Sequence, residues 1–120
     1  MNDNEFGIYL KSIRESKGLT QEQLGDAVGK KKMTISLIEN GKNAPPQDVF
    51  LDQLIEILNP SRNEEIKLRD LAALARKCIP SDIAEYFIQN KNIRTTIRTA
   101  MEKGKSDDFW RKIQQSIIDD

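Results

Sequence analysis

Apolar side chains recur along the chain at the three- and four-residue spacing of helices, and no stretch shows the sustained alternation typical of strands. Glycine, proline and helix-capping residues separate the apolar segments. The pattern predicts helices at residues 5–17, 20–28, 32–39 and 47–58, from about 62 to 76, from 81 onward, at 91–103 and from 107 onward. We therefore expect an all-α fold.

The most informative stretch is residues 18–41, which predicts two short helices separated by a tight turn. Thr20 is a good N-cap for the first of them, and Gln23 stands three residues later, as a capping box requires. Gly29 can take the positive φ that a sharp turn needs, and Gly41 can end the second helix in the same way.

The second of these helices has distinct inner and outer faces. Ile35 and Ile38 are three residues apart, so they share a face and are expected to point inward. The residues left for the outer face are Lys32, Met33, Ser36, Leu37 and Asn40. Two short helices joined by a glycine-containing turn, the second basic at its start, form the helix-turn-helix that enters the DNA major groove.

The first predicted helix, at 5–17, is ended by Gly18. We expect Ile8, Tyr9 and Ile13 to face inward and Leu10 to lie nearer the opposite flank.

The helix at 47–58 is apolar on two flanks. One flank consists of Phe50, Leu54, Ile57 and Leu58, and the other of Leu51 and Ile55. A helix of a small DNA-binding domain normally covers one neighbour, so the second flank predicts that something else packs there. Because Asn59-Pro60-Ser61 breaks the helical pattern, we place a domain boundary there. The interpretation is a DNA-binding domain at 1–60 and a helical C-terminal extension at 61–120.

Charge is abundant but balanced, because charged residues make up 32% of the chain and the formal net charge is zero. No overall field draws the protein to nucleic acid, so any affinity for DNA must be local. The exception is the basic run Lys30-Lys31-Lys32. Its candidate basic neighbours are Lys11, Arg14, Lys17 and Lys42.

The composition argues against an enzyme, a metal site or a cofactor. The absence of histidine removes Ser-His-Asp and Cys-His arrangements and most zinc sites. Adjacent Glu64 and Glu65 do not converge on one site when they lie on a helix, and the chain has no glycine-rich phosphate loop. Cys78, the single cysteine, cannot form an internal disulfide; we expect it to be a small buried residue of a protein in a reducing cytosol.

Nothing in the sequence predicts an association with membrane. No apolar run approaches the length of about 20 residues that a membrane-spanning helix needs. The polar N-terminal residues lack the organisation of a signal peptide. We therefore expect a cytoplasmic protein.

At residues 7–46 the chain resembles the XRE family of helix-turn-helix regulators, which includes the lambdoid phage repressors and Cro proteins. The matching elements are Leu10, Ile13-Arg14, Gly18-Leu19-Thr20-Gln21, Leu24, Val28-Gly29, Thr34-Ile35-Ser36, Ile38-Glu39, Asn40-Gly41-Lys42 and the following proline. The resemblance implies a compact five-helix, lambda-repressor-like domain, with residues 32–39 as its recognition helix.

The resemblance also implies roles for individual residues. Thr20 and Gln21 would meet the DNA backbone, where helix amides and the helix dipole favour phosphate, and Gln21 could also reach a base edge. Lys32, Met33, Ser36 and Leu37 hold the positions from which this family reads the major groove, although Met33 or Leu37 could instead be turned partly inward as core. Lys31, just before them, is also expected to contact DNA. Those that would hold phosphate on the far side are Asn40, Lys42 and Asn43. Arg14 and Glu39 match a pair that forms an ion pair inside the domain, so they are assigned to structure.

Three residues depart from the family pattern. Lys30 stands where an apolar residue is usual, so its stem is expected to lie along the core edge while its ammonium reaches solvent or phosphate. Lys31 stands where Ser or Thr commonly caps the recognition helix, which could shorten that helix. Gly25 replaces the usual alanine and keeps the small side chain that close helix crossing needs, at a helix-propensity cost of about 1 kcal/mol.

These features leave two functions open. The first is a sequence-specific regulator of transcription, a repressor that binds double-stranded DNA at an inverted repeat as a homodimer. Residues 59–120, together with the second apolar flank of the helix at 47–58, would either form the dimer or thicken the core. The second is an antitoxin, whose C-terminal part would bind a toxin protein while the chain represses its own operon. The elements Pro80–Tyr86, Ile97, Ala100, Gly104–Asp107 and Trp110 resemble an extension found in regulators of phage and mobile elements and in XRE-type antitoxins.

Overall fold

The computed structural model describes residues 4–120. Its elements are α1 (Glu5–Ser16), α2 (Gln21–Ala27), α3 (Lys32–Glu39), α4 (Asp48–Leu58), α5 (Arg62–Arg76), α6 (Ser81–Gln89), α7 (Lys91–Glu102) and α8 (Asp107–Ile118). No strand occurs within this part of the chain, which confirms the all-α prediction. None of the helices described is long and apolar enough to cross a bilayer.

The helix ends follow local signals in the sequence. Thr20 accepts a hydrogen bond from the Gln23 amide while the Gln23 side chain accepts one from the Thr20 amide, which is the predicted capping box. Ser61 and Glu64 form a second capping box at the start of α5. Each of the four glycines that follow a helix, Gly18, Gly29, Gly41 and Gly104, has a positive φ.

The chain forms two compact units, and the division falls within α6, between Ile83 and Ala84. The first unit contains α1 to α5, with α3 packed against both α1 and α2, and α5 packed against α1. Its largest fully buried side chains are Leu10, Leu24, Ile35, Leu54, Leu58 and Leu68. The core of this unit therefore draws on all five helices.

Helix α1 faces the core differently from our expectation. Leu10 is fully buried and Phe6 is also buried, whereas Ile8 is 53% exposed. The inward face is thus Phe6, Leu10 and Ile13, which are separated by four and three residues. The assignment of Ile8 to the core and of Leu10 to the opposite flank was wrong. The reason is that this helix carries apolar side chains on more than one side, so their spacing alone does not determine which side is buried.

The second apolar flank of α4 is covered by α5. Leu51 and Ile55 are buried in the same core cluster as Leu68 and Ala72 of α5. Nearby, the Arg69 guanidinium bridges the carboxylates of Asp52 on α4 and Glu65 on its own helix, both at 3.0 Å. Since α5 completes the core, the first structural unit extends beyond residue 60.

The second unit, from Ala84 onward, contains the end of α6 with α7 and α8. The Arg94 guanidinium on α7 donates hydrogen bonds to the carbonyls of Phe87 and Ile88 at the end of α6. Phe109 and Trp110 meet edge to face on α8, with ring centroids 5.0 Å apart. Ala100 is the one buried hydrophobic residue in this unit, so its apolar surface is largely uncovered.

Candidate nucleic-acid interface

The turn between α2 and α3 is held tightly by its own backbone. The Lys30 amide donates to the Gly25 carbonyl at 2.8 Å, and the Gly29 amide donates to Asp26 at 3.3 Å. A Cβ at Gly25 would lie 2.7 Å from the Lys30 carbonyl oxygen. Gly25 is thus needed because the backbone of the turn at Lys30 passes close to α2. The sequence had led us to expect that another helix would cross at Gly25.

A buried ion pair ties α3 to α1. The Arg14 Nε atom donates to one carboxylate oxygen of Glu39 at 2.7 Å, and Nη2 donates to the other at 3.0 Å. Both residues are buried, with exposed fractions of 6% and 3%. The hydrogen bonds to Glu39 raise the pKa of the Arg14 guanidinium above its ordinary value. Because this bidentate contact is directional, it fixes the C-terminal end of α3 on α1.

The same ion pair reaches the start of α2. The Arg14 Nη1 atom donates to the Leu19 carbonyl at 2.6 Å, just before the N-cap of α2. The Gln21 side-chain amide donates to Glu39 at 3.0 Å. A single carboxylate therefore connects α1, α2 and α3, which sets the angle between the two helices of the motif.

Helix α1 also approaches α3 through its backbone. Gly7 is buried, and a Cβ there would lie 2.6 Å from the Glu39 carbonyl oxygen and closer still to that of Ile38. The Asn4 side-chain amide donates to the Glu39 carbonyl at 2.7 Å. Sequence reasoning did not identify Gly7 or Asn4, because a glycine inside a helix gives no sign of what it contacts.

Along the outer face of α3, side-chain exposure is high at the start of the helix and lower one turn later. Lys31, Lys32 and Met33 at its start are exposed, and Met33 is 64% accessible. Ser36 and Leu37 are half-buried one turn later. Lys31 is the N-cap residue and makes no side-chain capping bond, yet α3 spans the full predicted range Lys32–Glu39. The departure at Lys31 therefore does not shorten the helix.

The end of α3 is closed by the residues that follow it. Gly41, at φ +75°, donates its amide to the Ile38 carbonyl, and Lys42 donates its amide to the Leu37 carbonyl at 2.8 Å, a Schellman arrangement. The Asn43 amide also donates to the Leu37 carbonyl, at 3.1 Å. The side chains of Lys42 and Asn43 are exposed, so this closed loop carries them at the end of α3.

The basic residues near the motif do not all belong to one surface. The Lys30 ammonium lies 5.0 Å from the centre of the Phe50 ring on α4, so its stem follows the core edge as expected. The Lys17 ammonium donates to the Asn59 carbonyl after α4. Since Arg14 is buried in its ion pair, two of the candidate neighbours of the lysine run, Arg14 and Lys17, are directed elsewhere.

Cys78 follows α5 and is exposed, which corrects the expectation that it is buried. Its thiol donates to the Ala73 carbonyl at 3.6 Å. Among residues 4–120 there is no group of three or more side chains placed to hold a metal ion.

Comparison with known proteins gives a match to the region that contains α2, the turn and α3. The family model described as helix-turn-helix matches residues 10–55, which run from α1 to α4. The chain is also similar to the uncharacterized HTH-type transcriptional regulator RghRB of Bacillus subtilis, at 29% identity over 101 residues. That alignment covers 82% of this chain and 68% of the relative. No solved structure gave a significant match.

Proposed function

We propose that this chain is a sequence-specific DNA-binding regulator of transcription, because residues 10–55 match the helix-turn-helix family model and the similar Bacillus subtilis protein is named as an HTH-type transcriptional regulator. In this proposal the chain acts as a repressor that occupies an inverted-repeat operator as a homodimer. The observation that carries the proposal is the outer face of α3, which is exposed and basic at its start while its inner face is buried and held by the Glu39 carboxylate.

The proposed readers of base edges lie at the start and middle of α3. The exposed Lys32 ammonium can donate to guanine O6 or N7, and the exposed Met33 can contact a thymine methyl group. Ser36 and Leu37 are half-buried, so their side chains project less far from the helix and would reach less deeply into the groove. Lys31 lies just before the helix and would contact the adjacent phosphate.

The proposed phosphate contacts flank α3 on both sides. On one side are Thr20 and Gln21 at the start of α2. Gln21 donates one N–H to Glu39, and its amide group has a second N–H with which to approach a phosphate or base. On the other side are Asn40, Lys42 and Asn43, all exposed after the end of α3. Such contacts would position the motif without reading sequence.

The charge balance favours a dimer. The chain is neutral overall, and few exposed lysines accompany α3, so a single domain has a weak electrostatic attraction to DNA. Two copies double the phosphate and base contacts and read half-sites about 10 bp apart, or a multiple of that. We therefore propose that tight binding requires the dimer.

The first test is selection of bound sequences from a random DNA pool by the full chain, followed by titration of the selected site. We expect an inverted repeat, and Lys32→Ala should weaken binding to it by about tenfold or more per half-site, as loss of a base contact does. Lys42→Ala should lower the slope of log affinity against log salt by about one unit per half-site. Lys103→Ala, at the exposed C-cap residue that follows α7, is the matched control and should change neither quantity.

The second test concerns repression. A promoter that contains the selected site should be transcribed less when the parent protein is present, and the Lys32→Ala protein should lose this effect while it remains folded. A parent protein that prefers no sequence, and whose binding does not depend on salt, would contradict the proposal. Retained repression by the Lys32→Ala protein would contradict the assignment of the reading face.

A further inference from the structure

The side chain of Gln21 is oriented by a buried carboxylate. Its Nε2 atom donates a hydrogen bond to Glu39 Oε1 at 3.0 Å. The two oxygens of that carboxylate also accept hydrogen bonds from Arg14, at 2.7 and 3.0 Å, and Glu39 is 3% exposed. The carboxylate is thus held from α1 while it bonds the first residue of α2, so its position does not depend on Gln21.

The amide of Gln21 can face this carboxylate in one orientation. A glutamine amide ends in an oxygen that only accepts hydrogen bonds and in a nitrogen with two N–H donors. The carboxylate that pairs with Arg14 has no proton to donate, so it repels the amide oxygen and attracts the nitrogen. What Gln21 can offer another molecule is therefore one N–H together with its Oε1 oxygen, to which no donor within residues 4–120 bonds.

The Gln21 amide lies beside the outer face of α3. Its partner Glu39 stands one turn after Ser36 and directly before Asn40. Residues three apart on a helix are neighbours, with about 5–6 Å between their Cβ atoms. Ser36 and Asn40 belong to the outer face, where the Asn40 side-chain amide donates to the Ser36 hydroxyl at 3.3 Å. Gln21 is half-buried, so part of its side chain is accessible next to the proposed reading face.

One N–H beside one carbonyl oxygen matches adenine better than it matches phosphate. Phosphate oxygens only accept hydrogen bonds, so a phosphate would use the N–H and leave Oε1 against an anion. In the major groove guanine offers two acceptors, cytosine a donor and thymine an acceptor. Adenine offers the N7 acceptor next to the N6 donor, so it pairs with both groups of a glutamine amide at once. The orientation that Glu39 imposes therefore favours an adenine edge.

We propose that Gln21 reads one adenine in each half-site through N7 and N6. Glu39 is the positioning residue, because it keeps the nitrogen and oxygen of the Gln21 amide in the order that this base requires. The inference rests on the proposed function, and it narrows the contact of Gln21 from a phosphate or base to a base edge. A carboxylate that is itself buried thereby sets part of the sequence preference.

The experiment is selection of sites from a random DNA pool by the full chain, followed by titration of sites that differ at one position. For the parent we expect one adenine in each half-site whose replacement by another base weakens binding by about tenfold. Replacement of that adenine by 7-deazaadenine, which lacks the N7 acceptor, should also weaken binding by the parent. Gln21→Ala should bind all four bases at this position about equally and keep its preferences at the other positions.

The positioning role is tested by Glu39→Gln. The new amide can present either an oxygen or a nitrogen, so Gln21 is no longer held in one orientation and the preference for adenine should fall. In the Gln21→Ala background, the same change should cause no further loss of preference at this position. Ile55→Val is the control for lost stability, because it alters the buried core on α4 and leaves these hydrogen bonds in place; it should keep the preference.

A second variant covers the case in which the Glu39→Gln protein does not fold. Gln21→Glu has nearly the same shape and leaves Arg14 and Glu39 unchanged, but its carboxylate donates a hydrogen bond neither to Glu39 nor to adenine N7. It should remove the preference for adenine while the preferences at other positions remain.

The outcomes separate this inference from the DNA function. An inverted repeat with no adenine whose recognition depends on Gln21, together with equal weakening of every site by Gln21→Ala, would support the regulator and overturn the adenine contact. An adenine preference that survives Glu39→Gln in a folded protein, or survives Gln21→Glu, would overturn the role of Glu39. A parent protein that prefers no DNA sequence would contradict the regulator, and this inference with it.

Discussion

Replacement of Gly7 by alanine should destabilise the protein, although alanine is the better helix former. Gly7 lies inside α1 where that helix crosses the end of α3. An added Cβ would lie 2.6 Å from the Glu39 carbonyl oxygen and closer to that of Ile38. The Cβ would also meet the side-chain oxygen of Asn4, which can rotate away, but the two carbonyl oxygens are backbone atoms, so no side-chain rotation removes their overlap.

The size of the effect follows from the distance that the helices must move. Carbon and carbonyl oxygen meet comfortably at about 3.3–3.6 Å, so α1 and α3 must separate by about 1 Å. Overpacking of this kind costs about 1–3 kcal/mol, and the helix preference of alanine returns about 1 kcal/mol. The separation also lengthens the buried hydrogen bonds from Arg14 to Glu39, which as charged bonds contribute about 1.5–3 kcal/mol each. We expect a net loss of about 2–3 kcal/mol in the free energy of unfolding.

The assay is urea denaturation followed by circular dichroism, with Ser12→Ala as control. Ser12 is exposed on the same helix, so its replacement should change the free energy of unfolding by no more than about 0.5 kcal/mol. A Gly7→Ala protein as stable as the parent would refute the reasoning. Restoration of stability by the further change Asn4→Ala would show that the Asn4 side chain, not the α3 backbone, is the obstacle.

Three further changes test other backbone and charge features. Gly25→Ala should destabilise by about 1–2 kcal/mol in urea denaturation, because its Cβ would meet the Lys30 carbonyl. Lys77→Gly should raise the free energy of unfolding by about 1 kcal/mol, since Lys77 holds a positive φ of 55° at the end of α5; an unchanged midpoint would contradict this. The hydrogen bonds from Ser61, chiefly the backbone one, lower the pKa of Glu64 below its ordinary 4.5, so ionised Glu64 stabilises the fold above that pH. The stability advantage of the parent over Glu64→Ala should therefore shrink as pH falls below 4.5, and a difference that does not change with pH would contradict it.

The helices could be predicted from sequence because their ends are encoded locally. Glycines with positive φ and capping residues mark the ends of several elements, and each acts within a few residues. The inward face of α1 was predicted wrongly, because apolar residues lie on more than one side of this helix and tertiary contacts bury Phe6 and Leu10 while Ile8 stays exposed. The domain boundary at residue 60 stays a prediction, although α5 shares the core of the preceding helices.

The helix-turn-helix of the candidate site could be predicted from sequence, whereas the long-range contacts that hold it in place could not. The outer face of α3 follows from the inward pair Ile35 and Ile38, both of which are buried. The contacts of Gln21 with Glu39 and of Lys17 with Asn59 span 18 and 42 residues of sequence, and no local pattern encodes them. The individual DNA contacts stay a prediction until they are measured.

The closure of α3 has a consequence for the thermodynamics of the proposed binding. The amides of Lys42 and Asn43 share the Leu37 carbonyl, so the backbone that carries their side chains is already ordered in the free protein. Phosphate contact from these residues would then immobilise side-chain torsions alone, at a cost of about 0.5–1.5 kcal/mol for each side chain. A loop without this closure would also lose backbone freedom on binding, about 1–2 kcal/mol for each residue fixed. At this end of α3 the backbone therefore loses its conformational freedom during folding, and DNA binding does not have to remove it.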